Sequence, residues 1–263
     1  MKTIGQVESL WRYPVKSMRG EQLQEAFLGF AGVYGDRLYA FRRANGQKAS
    51  PFLTATKLAD MLLYRPVYRY PEHMVKPGNL AEAEGVHPGL NPVYADSAEM
   101  MLDVETPGGK LLAIDDPQLI SALQEANGEA DQLTLMRSDR AMTDCRPISL
   151  LSVQTVQELS SDLGFELDKR RFRANIYADL PSATGFLEDQ FVGRMLRIGL
   201  KTVIAVMDRD PRCKMITLDP VTAAATPEVM KLVSRDHEGN AGVYAAVLVE
   251  GIIRPGDAIS VLN

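Results

Sequence analysis

Hydrophobic and polar residues alternate over much of this chain, which is the pattern of strands that bury one face. The clearest segments are TIGQVESLWRYPV (residues 3–15), GDRLYAFRRANGQKA (35–49), MMLDVETPGGKLLAID (100–115) and GVYAAVLVEGIIRPGDAISVLN (242–263). Hairpin turns are predicted at Asn45-Gly46, a pair favoured in type I′ turns, and at the PGG sequence of residues 107–109. A further turn is predicted at the PGD sequence of residues 255–257. The pattern predicts a protein built mainly from strands.

Three segments have a helical spacing of apolar residues, and each follows a capping residue. They are residues 117–126 after Asp116, residues 153–163 after Ser152, and residues 227–237 after Thr226. Gly164 and Gly239 are expected to end the second and third helices. The first helix is expected to bury Ile120, Leu123 and Ala126 along one face.

The order of these elements predicts the fold class. We expect a β-rich α+β protein with a β-barrel core and peripheral helices, preceded by a smaller β-rich N-terminal domain. The corresponding domains are residues 1–115 and residues 116–263. Residues 71–96 are rich in Pro, Gly, Ala and Glu without periodicity, which predicts a long surface excursion or lid.

Composition, the length of the apolar runs and the net charge limit the cellular location and the binding partners to be expected of this protein. The chain has 263 residues, of which 46% are hydrophobic and 24% charged, as in ordinary globular proteins. Its apolar runs, such as YAAVLV, are far shorter than the roughly 20 residues of a membrane-spanning helix. The N-terminus lacks a continuous apolar signal segment, so we expect a cytoplasmic protein without a membrane partner. A net charge of −5 argues against nucleic-acid binding.

Most common catalytic motifs are missing from the sequence. There is no GxGxxG, P-loop, HExxH or paired CxxC, and the three histidines lack metal-ligand spacing. Cys213 lies between Arg212 and Lys214, a setting typical of reactive cysteines, although a lone cysteine can also fill a small apolar gap. Cys145, in TDCRPISLL, is interpreted as structural.

Four segments combine polar or cationic side chains with turn residues. They are YPVKSMRGE (13–21), YGDRLYAF (34–41), RRFRANI (170–176) and DPRCKMITLDP (210–220). In these segments, in FLED and in the closing GIIRPGD, the chain resembles the MOSC family, named for the C-terminal domain of molybdenum-cofactor sulfurase, with the N-terminal β-rich domain that precedes it in many members. Ala174 departs from the Pro of the family's FRPNI motif, which predicts a looser loop.

The resemblance implies a molybdenum cofactor, a pyranopterin with a phosphate, and Cys213 as metal ligand and catalytic residue. It implies that the phosphate and pterin are contacted by Lys16, Ser17, Arg37, Arg173, Asn175 and Arg212, with Tyr244 closing the site. Each cation could instead be a solvated surface charge or part of a local pair, such as Arg37 with Asp36, and Tyr244 could belong to the core. Glu188 and Asp189 are interpreted as structural, orienting nearby backbone or Arg173. Pyridoxal phosphate is not expected.

The reaction implied by the resemblance is the reduction of small N-hydroxylated compounds, such as amidoximes or hydroxylamine-type base analogues. Two cysteines are too few for a [2Fe–2S] cluster, so electrons are expected from a separate ferredoxin- or flavoprotein-type protein. Two alternatives remain open: a carrier of molybdenum cofactor, or of sulfur as a persulfide on Cys213, and a MOSC-shaped binding module without the cofactor.

Overall fold

The computed structural model describes residues 2–48, 50–85, 96–128, 131–181 and 184–262. Its contacts divide the chain into two compact units. The first, called here the barrel unit, comprises Met1–Arg12, Gly20–Val33 and Thr143–Asn263, and the second unit comprises Tyr13–Arg19 and Tyr34–Met142. The predicted division into residues 1–115 and 116–263 stays a prediction. The two compact units are not continuous in sequence, because Met1–Arg12 and Gly20–Val33 belong to the barrel unit.

The described part of the chain contains seventeen strands and four α-helices. The strands are β1 (Lys2–Arg12), β2 (Glu21–Leu23), β3 (Ala26–Gly29), β4 (Gly32–Val33), β5 (Tyr39–Gln47), β6 (Ser50–Phe52), β7 (Arg65–Tyr68), β8 (Leu102–Glu105), β9 (Leu111–Ala113), β10 (Leu133–Arg137), β11 (Ile148–Ser152), β12 (Ile176–Asp179), β13 (Met195–Ile198), β14 (Thr202–Pro211), β15 (Asn240–Val249), β16 (Gly251–Ile253) and β17 (Ala258–Leu262). The helices are α1 (Leu80–Gly85), α2 (Pro117–Ala126), α3 (Val153–Leu163) and α4 (Pro227–Asp236). Short 3-10 helices lie at Ala59–Leu63, Pro71–Met74, Lys169–Phe172, Leu187–Phe191 and Lys214–Thr217.

A closed seven-stranded barrel forms the centre of the barrel unit. Its strands follow the order β12-β11-β15-β14-β13-β17-β1, and β1 pairs again with β12 to close the ring. The β11–β12 pair is parallel and the other pairs of the ring are antiparallel. Strand β2 adds to β1 from outside the ring. The prediction of a β-rich fold with a barrel core is confirmed.

Alternating side chains give strands β11 and β12 two apolar faces. Leu150, Ile176 and Ala178 belong to a buried cluster drawn from all the strands of the ring, which is the barrel interior. Their neighbours Leu151 and Tyr177 belong to a second cluster that includes the buried faces of α3 and α4. Because successive side chains of a strand point to opposite faces, one run of apolar residues fills the barrel and seats the peripheral helices.

The second unit contains two three-stranded sheets, β10-β5-β6 and β7-β8-β9. Helix α2 begins as predicted, since the Asp116 side chain accepts the Gln118 N–H. The predicted buried face was wrong by one position, because α2 buries Leu119 and Leu123, while Ile120 is half-buried and Ala126 exposed.

The start and end of α3 agree with the sequence, whereas α4 starts as predicted but ends at Asp236, before the predicted Gly239. The Ser152 side chain accepts the Thr155 N–H at the start of α3, and Gly164 ends the helix with a φ of 75°. Thr226 precedes α4 without a side-chain cap. Within the described residues, none of the helices is long and apolar enough to span a bilayer, and the cytoplasmic location stays a prediction.

One predicted turn was wrong. Asn45 and Gly46 lie inside β5, and neither has the positive φ of a type I′ turn. Strand β5 continues to Gln47, which pairs with Ser50 of β6. A Cβ on Gly46 would lie 2.6 Å from the Pro51 carbonyl oxygen, so this glycine permits close approach of two backbones rather than a turn.

The hairpin prediction at residues 107–109 is confirmed, since β8 and β9 pair antiparallel on either side of them. The predicted turn at residues 255–257 is also present, and the strands beside it have separate partners, β3 for β16 and β1 and β13 for β17. The excursion predicted at residues 71–96 includes the 3-10 helix Pro71–Met74 and α1. Its residues 86–95 lie outside the described residues.

Candidate functional site

Cys213 lies on the surface of the barrel unit, at the junction between β14 and the 3-10 helix Lys214–Thr217. Its thiol is free and exposed, and its carbonyl oxygen accepts the Ile216 N–H that begins the helix. The alternative in which Cys213 fills an apolar gap is therefore wrong. Cys145 is also exposed, so it fills no buried gap, and its interpretation as structural rather than a metal ligand stays a prediction.

The side chain of Arg212 turns inward, although Arg212 adjoins the exposed cysteine. The guanidinium donates to the carbonyl oxygens of Ala241 at 2.6 Å and Phe172 at 2.9 Å. It also pairs at 2.8 Å with Asp210, and both side chains are buried. A contact between Arg212 and the cofactor stays a prediction, while the structure gives Arg212 a bracing role.

Asp210 is the centre of a buried polar cluster in the barrel unit. Besides Arg212, it accepts a hydrogen bond from Ser149 Oγ at 2.8 Å. The Tyr244 hydroxyl also bonds to it, and the pKa of Tyr244 is raised, first by burial and next by the charge of Asp210. Tyr244 is therefore a protonated donor at neutral pH.

Arg173 and Asn175 flank Ala174 just before β12. Arg173 is buried and has the left-handed φ of 53°. The Asn175 amide bridges two strands, since its oxygen accepts the Ser149 N–H at 3.4 Å and its nitrogen donates to the Trp11 carbonyl at 3.2 Å. Asn175 thus keeps one N–H and one lone pair for any ligand.

Ala174 is held without the proline of the family motif. Its N–H donates to the Tyr177 hydroxyl at 3.3 Å, and that hydroxyl donates to the Lys169 carbonyl at 2.7 Å. Proline has no N–H and could not make this bond. The bond therefore offsets the looser loop that the substitution was expected to produce.

Glu188 and Asp189 both have structural partners. Glu188 is fully buried and accepts the Ser152 N–H at 3.1 Å and the Thr155 hydroxyl at 2.8 Å, at the start of α3. Asp189 pairs with Arg209 at 2.9 Å, and burial raises its pKa to about 6. The predicted orientation of backbone is confirmed for Glu188, while Asp189 orients Arg209 and not Arg173.

The second unit holds the remaining predicted residues, which are Lys16, Ser17 and Arg37. Lys16 is largely buried, and its Nζ donates to the Met142 carbonyl at 3.0 Å. Arg37 pairs with the fully buried Asp36 and stacks on the Tyr13 ring, 4.9 Å from its centroid. Asp36 also accepts the Tyr13 N–H at 2.7 Å.

Backbone strain singles out three of the predicted residues. Only six non-glycine residues of the described chain have positive φ, and Ser17, Arg37 and Arg173 are three of them. Side chains with a Cβ adopt this region at a cost, and such residues concentrate at ligand-binding positions. The strain supports a binding role for each of the three, within its own unit.

In the barrel unit an ion pair and hydrogen bonds connect Arg212, Tyr244 and Asn175 through Asp210 and Ser149. Cys213 adjoins this network as the residue after Arg212, and Arg173 as the residue after Phe172, whose carbonyl accepts from Arg212. Lys16, Ser17 and Arg37 lie in the second unit. The alternative in which Arg37 pairs locally with Asp36 is confirmed, and Asp210, noted in the sequence only as a carboxylate near Cys213, is the partner of Arg212. Arg171 and Asp219 were missed, although both lie in the quoted motifs.

These features define a class of protein: a closed β-barrel that presents an exposed cysteine beside buried arginines, together with a second β-rich unit. Residues 4–115 match the family model for the MOSC N-terminal beta barrel domain, and residues 137–260 match that for the MOSC domain. The two matches span most of the chain, which therefore belongs to the MOSC-domain family.

One curated relative is mitochondrial amidoxime reducing component 2 from Bos taurus, which is 24% identical over 242 residues, covering 84% of this chain and 69% of the relative. Among solved structures, the YUAD protein from Bacillus subtilis aligns with a TM-score of 0.48 and 14% identity, covering 98% of this chain and 94% of that one. YiiM from Geobacillus stearothermophilus aligns with a TM-score of 0.33 and 17% identity, covering 45% and 55%. Family membership supports a function related to molybdenum cofactor.

Proposed function

We propose that this protein is a molybdenum-cofactor-dependent reductase of small N-hydroxylated compounds. The observation that carries the proposal is the exposed thiol of Cys213, which sits on a rigid junction braced by a buried Arg212–Asp210 pair. The similarity to an amidoxime reducing component supports the substrate class. In this proposal a separate ferredoxin- or flavoprotein-type protein supplies the electrons.

The residues present fit the cofactor. Thiolate sulfur is a soft ligand that suits molybdenum. Within the described residues no group of three or more His, Cys, Asp and Glu side chains could hold a metal ion, so a metal at Cys213 needs its other ligands from a bound group. When bound, the cofactor supplies two-electron redox chemistry at molybdenum.

The chain's own residues would bind and orient the cofactor. Arg173 would donate to phosphate or pterin oxygens as a charged fork. The Tyr244 hydroxyl donates its proton to Asp210, so its oxygen would accept a hydrogen bond from the pterin. Lys16, Ser17 and Arg37 have the same predicted role in the second unit. Asp208 and Asp210, the carboxylates near Cys213 in sequence, already pair with Arg146 and Arg212, so neither is a ready proton donor.

A second candidate function is a carrier of molybdenum cofactor or of persulfide sulfur. The exposure of Cys213 favours it, because a sulfur atom to be handed on must be reachable by the acceptor. Transfer of cofactor to an acceptor enzyme that lacks it, without turnover of an amidoxime, would favour the carrier over the reductase.

The test pairs the two exposed cysteines in protein made by cells that synthesise the cofactor. The parent should contain about one molybdenum atom per chain and should reduce an amidoxime when an electron donor is supplied. Cys213→Ser replaces a soft ligand by a hard one and should abolish turnover with little change in melting temperature. Cys145→Ser is the matched control and should stay active.

Two results would contradict the proposal. Metal-free parent protein would exclude the reductase and the carrier of molybdenum cofactor, and would leave a carrier of persulfide sulfur or a binding module without the cofactor. An active Cys213→Ser variant would overturn the ligand assignment, whatever the metal content.

A further inference from the structure

Two segments of the barrel unit are joined by reciprocal hydrogen bonds, in which an arginine of each segment donates to a backbone carbonyl of the other. One is the 3-10 helix Lys169–Phe172, which leads into the strained residue Arg173. The other, called here the cysteine segment, begins at Arg212, passes through Cys213 and continues along the 3-10 helix Lys214–Thr217. Each segment sends one arginine to the backbone of the other.

Arg171 makes the first crossing. Its side chain is buried, Nη1 donates to the Thr217 carbonyl at 2.7 Å, and Nη2 lies 3.1 Å from Asp219 Oδ2. The other carboxylate oxygen of Asp219 accepts the N–H groups of Val221 and Thr222. Asp219 is therefore fixed by its own turn, and Arg171 is anchored to a rigid partner.

Arg212 makes the crossing in the other direction. Its Nη1 donates to the Phe172 carbonyl at 2.9 Å, and its guanidinium stacks on the Phe172 ring, 5.5 Å from the centroid. Phe172 directly precedes Arg173, and Arg212 directly precedes Cys213. The residue next to the thiol and the residue next to the strained arginine are thus bonded to each other.

Together the two crossings fix one segment against the other at both ends. Arg212 acts at the start of the cysteine segment and Arg171 at its end, at Thr217. Hydrogen bonds from a charged guanidinium are stronger than neutral ones. We therefore expect the two crossings together to restrain the Cys213 backbone relative to the Arg173 backbone.

We propose that Arg171, through Thr217 and Asp219, is a positioning residue that sets the direction of the Cys213 thiol relative to Arg173. Arg171 touches neither a substrate nor a cofactor in this role. The inference rests on the proposed function for its catalytic consequence, while its mechanical part concerns the protein alone.

The test uses three variants of the full chain. Arg171→Met removes both bonds and keeps side-chain volume, and Arg171→Lys keeps one donor. Asp219→Asn removes the acceptor facing Arg171 while the oxygen that caps residues 221 and 222 remains. Arg235→Ala is the matched control, because Arg235 is exposed and pairs with its neighbour Asp236.

The first readout is amide hydrogen exchange in cofactor-free protein. Ile216 and Leu218 donate their N–H groups within the cysteine segment, and their protection should fall about tenfold or more in Arg171→Met and Asp219→Asn, since each loses a charge-assisted bond. Arg171→Lys should lie between these variants and the parent. Unchanged protection in both Arg171→Met and Asp219→Asn would overturn the proposal.

The second readout is made on cofactor-loaded protein. Molybdenum content should stay close to the parent's, the electron paramagnetic resonance signal of Mo(V) should shift, and kcat should fall about tenfold to a hundredfold with KM unchanged. A normal signal and normal kcat in Asp219→Asn would show that Arg171 only stabilises the fold. Metal-free parent protein would refute the proposed function, and the exchange experiment would still decide whether Arg171 fixes the segment.

Discussion

Replacing Asp210 by alanine would remove the carboxylate at the centre of the barrel unit's polar cluster. The side chains of Asp210 and Arg212 are 2% and 7% exposed, so the guanidinium charge would remain buried without its counter-ion. Removing one partner of a buried pair costs about 3–5 kcal/mol of unfolding free energy. Ser149 would also lose its acceptor. We therefore expect the loss of unfolding free energy to lie in the upper half of the range of about 3–5 kcal/mol.

The assay is urea unfolding followed by tryptophan fluorescence. The chain has one tryptophan, Trp11, which lies in β1 and packs against the cluster beneath α3 and α4. Its emission therefore reports on the barrel unit. The matched control is Asp208→Ala, in the same strand, whose carboxylate pairs with Arg146 at the surface. That change should cost about 0–1 kcal/mol.

A double variant tests the reason for the loss. Adding Arg212→Met to Asp210→Ala removes the unpaired charge, so the double variant should be more stable than Asp210→Ala alone. The reasoning is refuted if Asp210→Ala costs no more than Asp208→Ala, or if the effects of the two changes simply add.

The remaining predictions concern Asp189 and Gly242. Burial raises the pKa of Asp189 to about 6, so the folded state binds the proton more tightly and stability falls as pH rises from about 4 through about 6. The melting temperature of the parent should therefore rise relative to Asp189→Asn on acidification from about pH 7 to about pH 5, and parallel pH profiles would contradict this. Gly242 has a φ of 81°, and a Cβ there would lie 2.7 Å from the Leu150 carbonyl oxygen, so Gly242→Ala should cost about 2–4 kcal/mol in urea unfolding. Gly164→Ala, with a φ of 75° and open space around the added Cβ, should cost less than half as much, and equal costs would show that crowding has no part in it.

Periodicity and capping residues predicted most of the elements, because these signals act within a few residues. Ser152 and Asp116 begin helices in the structure as the sequence indicated. The buried face of α2 was placed one residue too far along, since Leu119 and Ile120 are both apolar and the pattern alone does not choose between them. Asn45-Gly46 failed because a distant backbone, that of Pro51, decides what Gly46 does.

The candidate site was predictable where chemistry lies in one segment and unpredictable where it spans segments. A cysteine between two cations indicated an exposed thiol, and Cys213 is exposed. The contact between Arg171 and Asp219 joins residues 48 positions apart, and local spacing contains no information about it. Left-handed φ at Arg37 and Arg173 was equally hidden, because arginine carries no preference for that region.

The closing of the barrel sets the order in which the chain can fold. Strand β1 is made first, yet its ring neighbours are β12 and β17, and Gln6 pairs with both Asp179 and Ala258. Pairing across such sequence separations is slow, because loop-closure entropy is lost before the contacts form. During synthesis the edge of β1 that pairs with β17 therefore stays open until residues 258–262 are available, and an open strand edge is a site of mispairing.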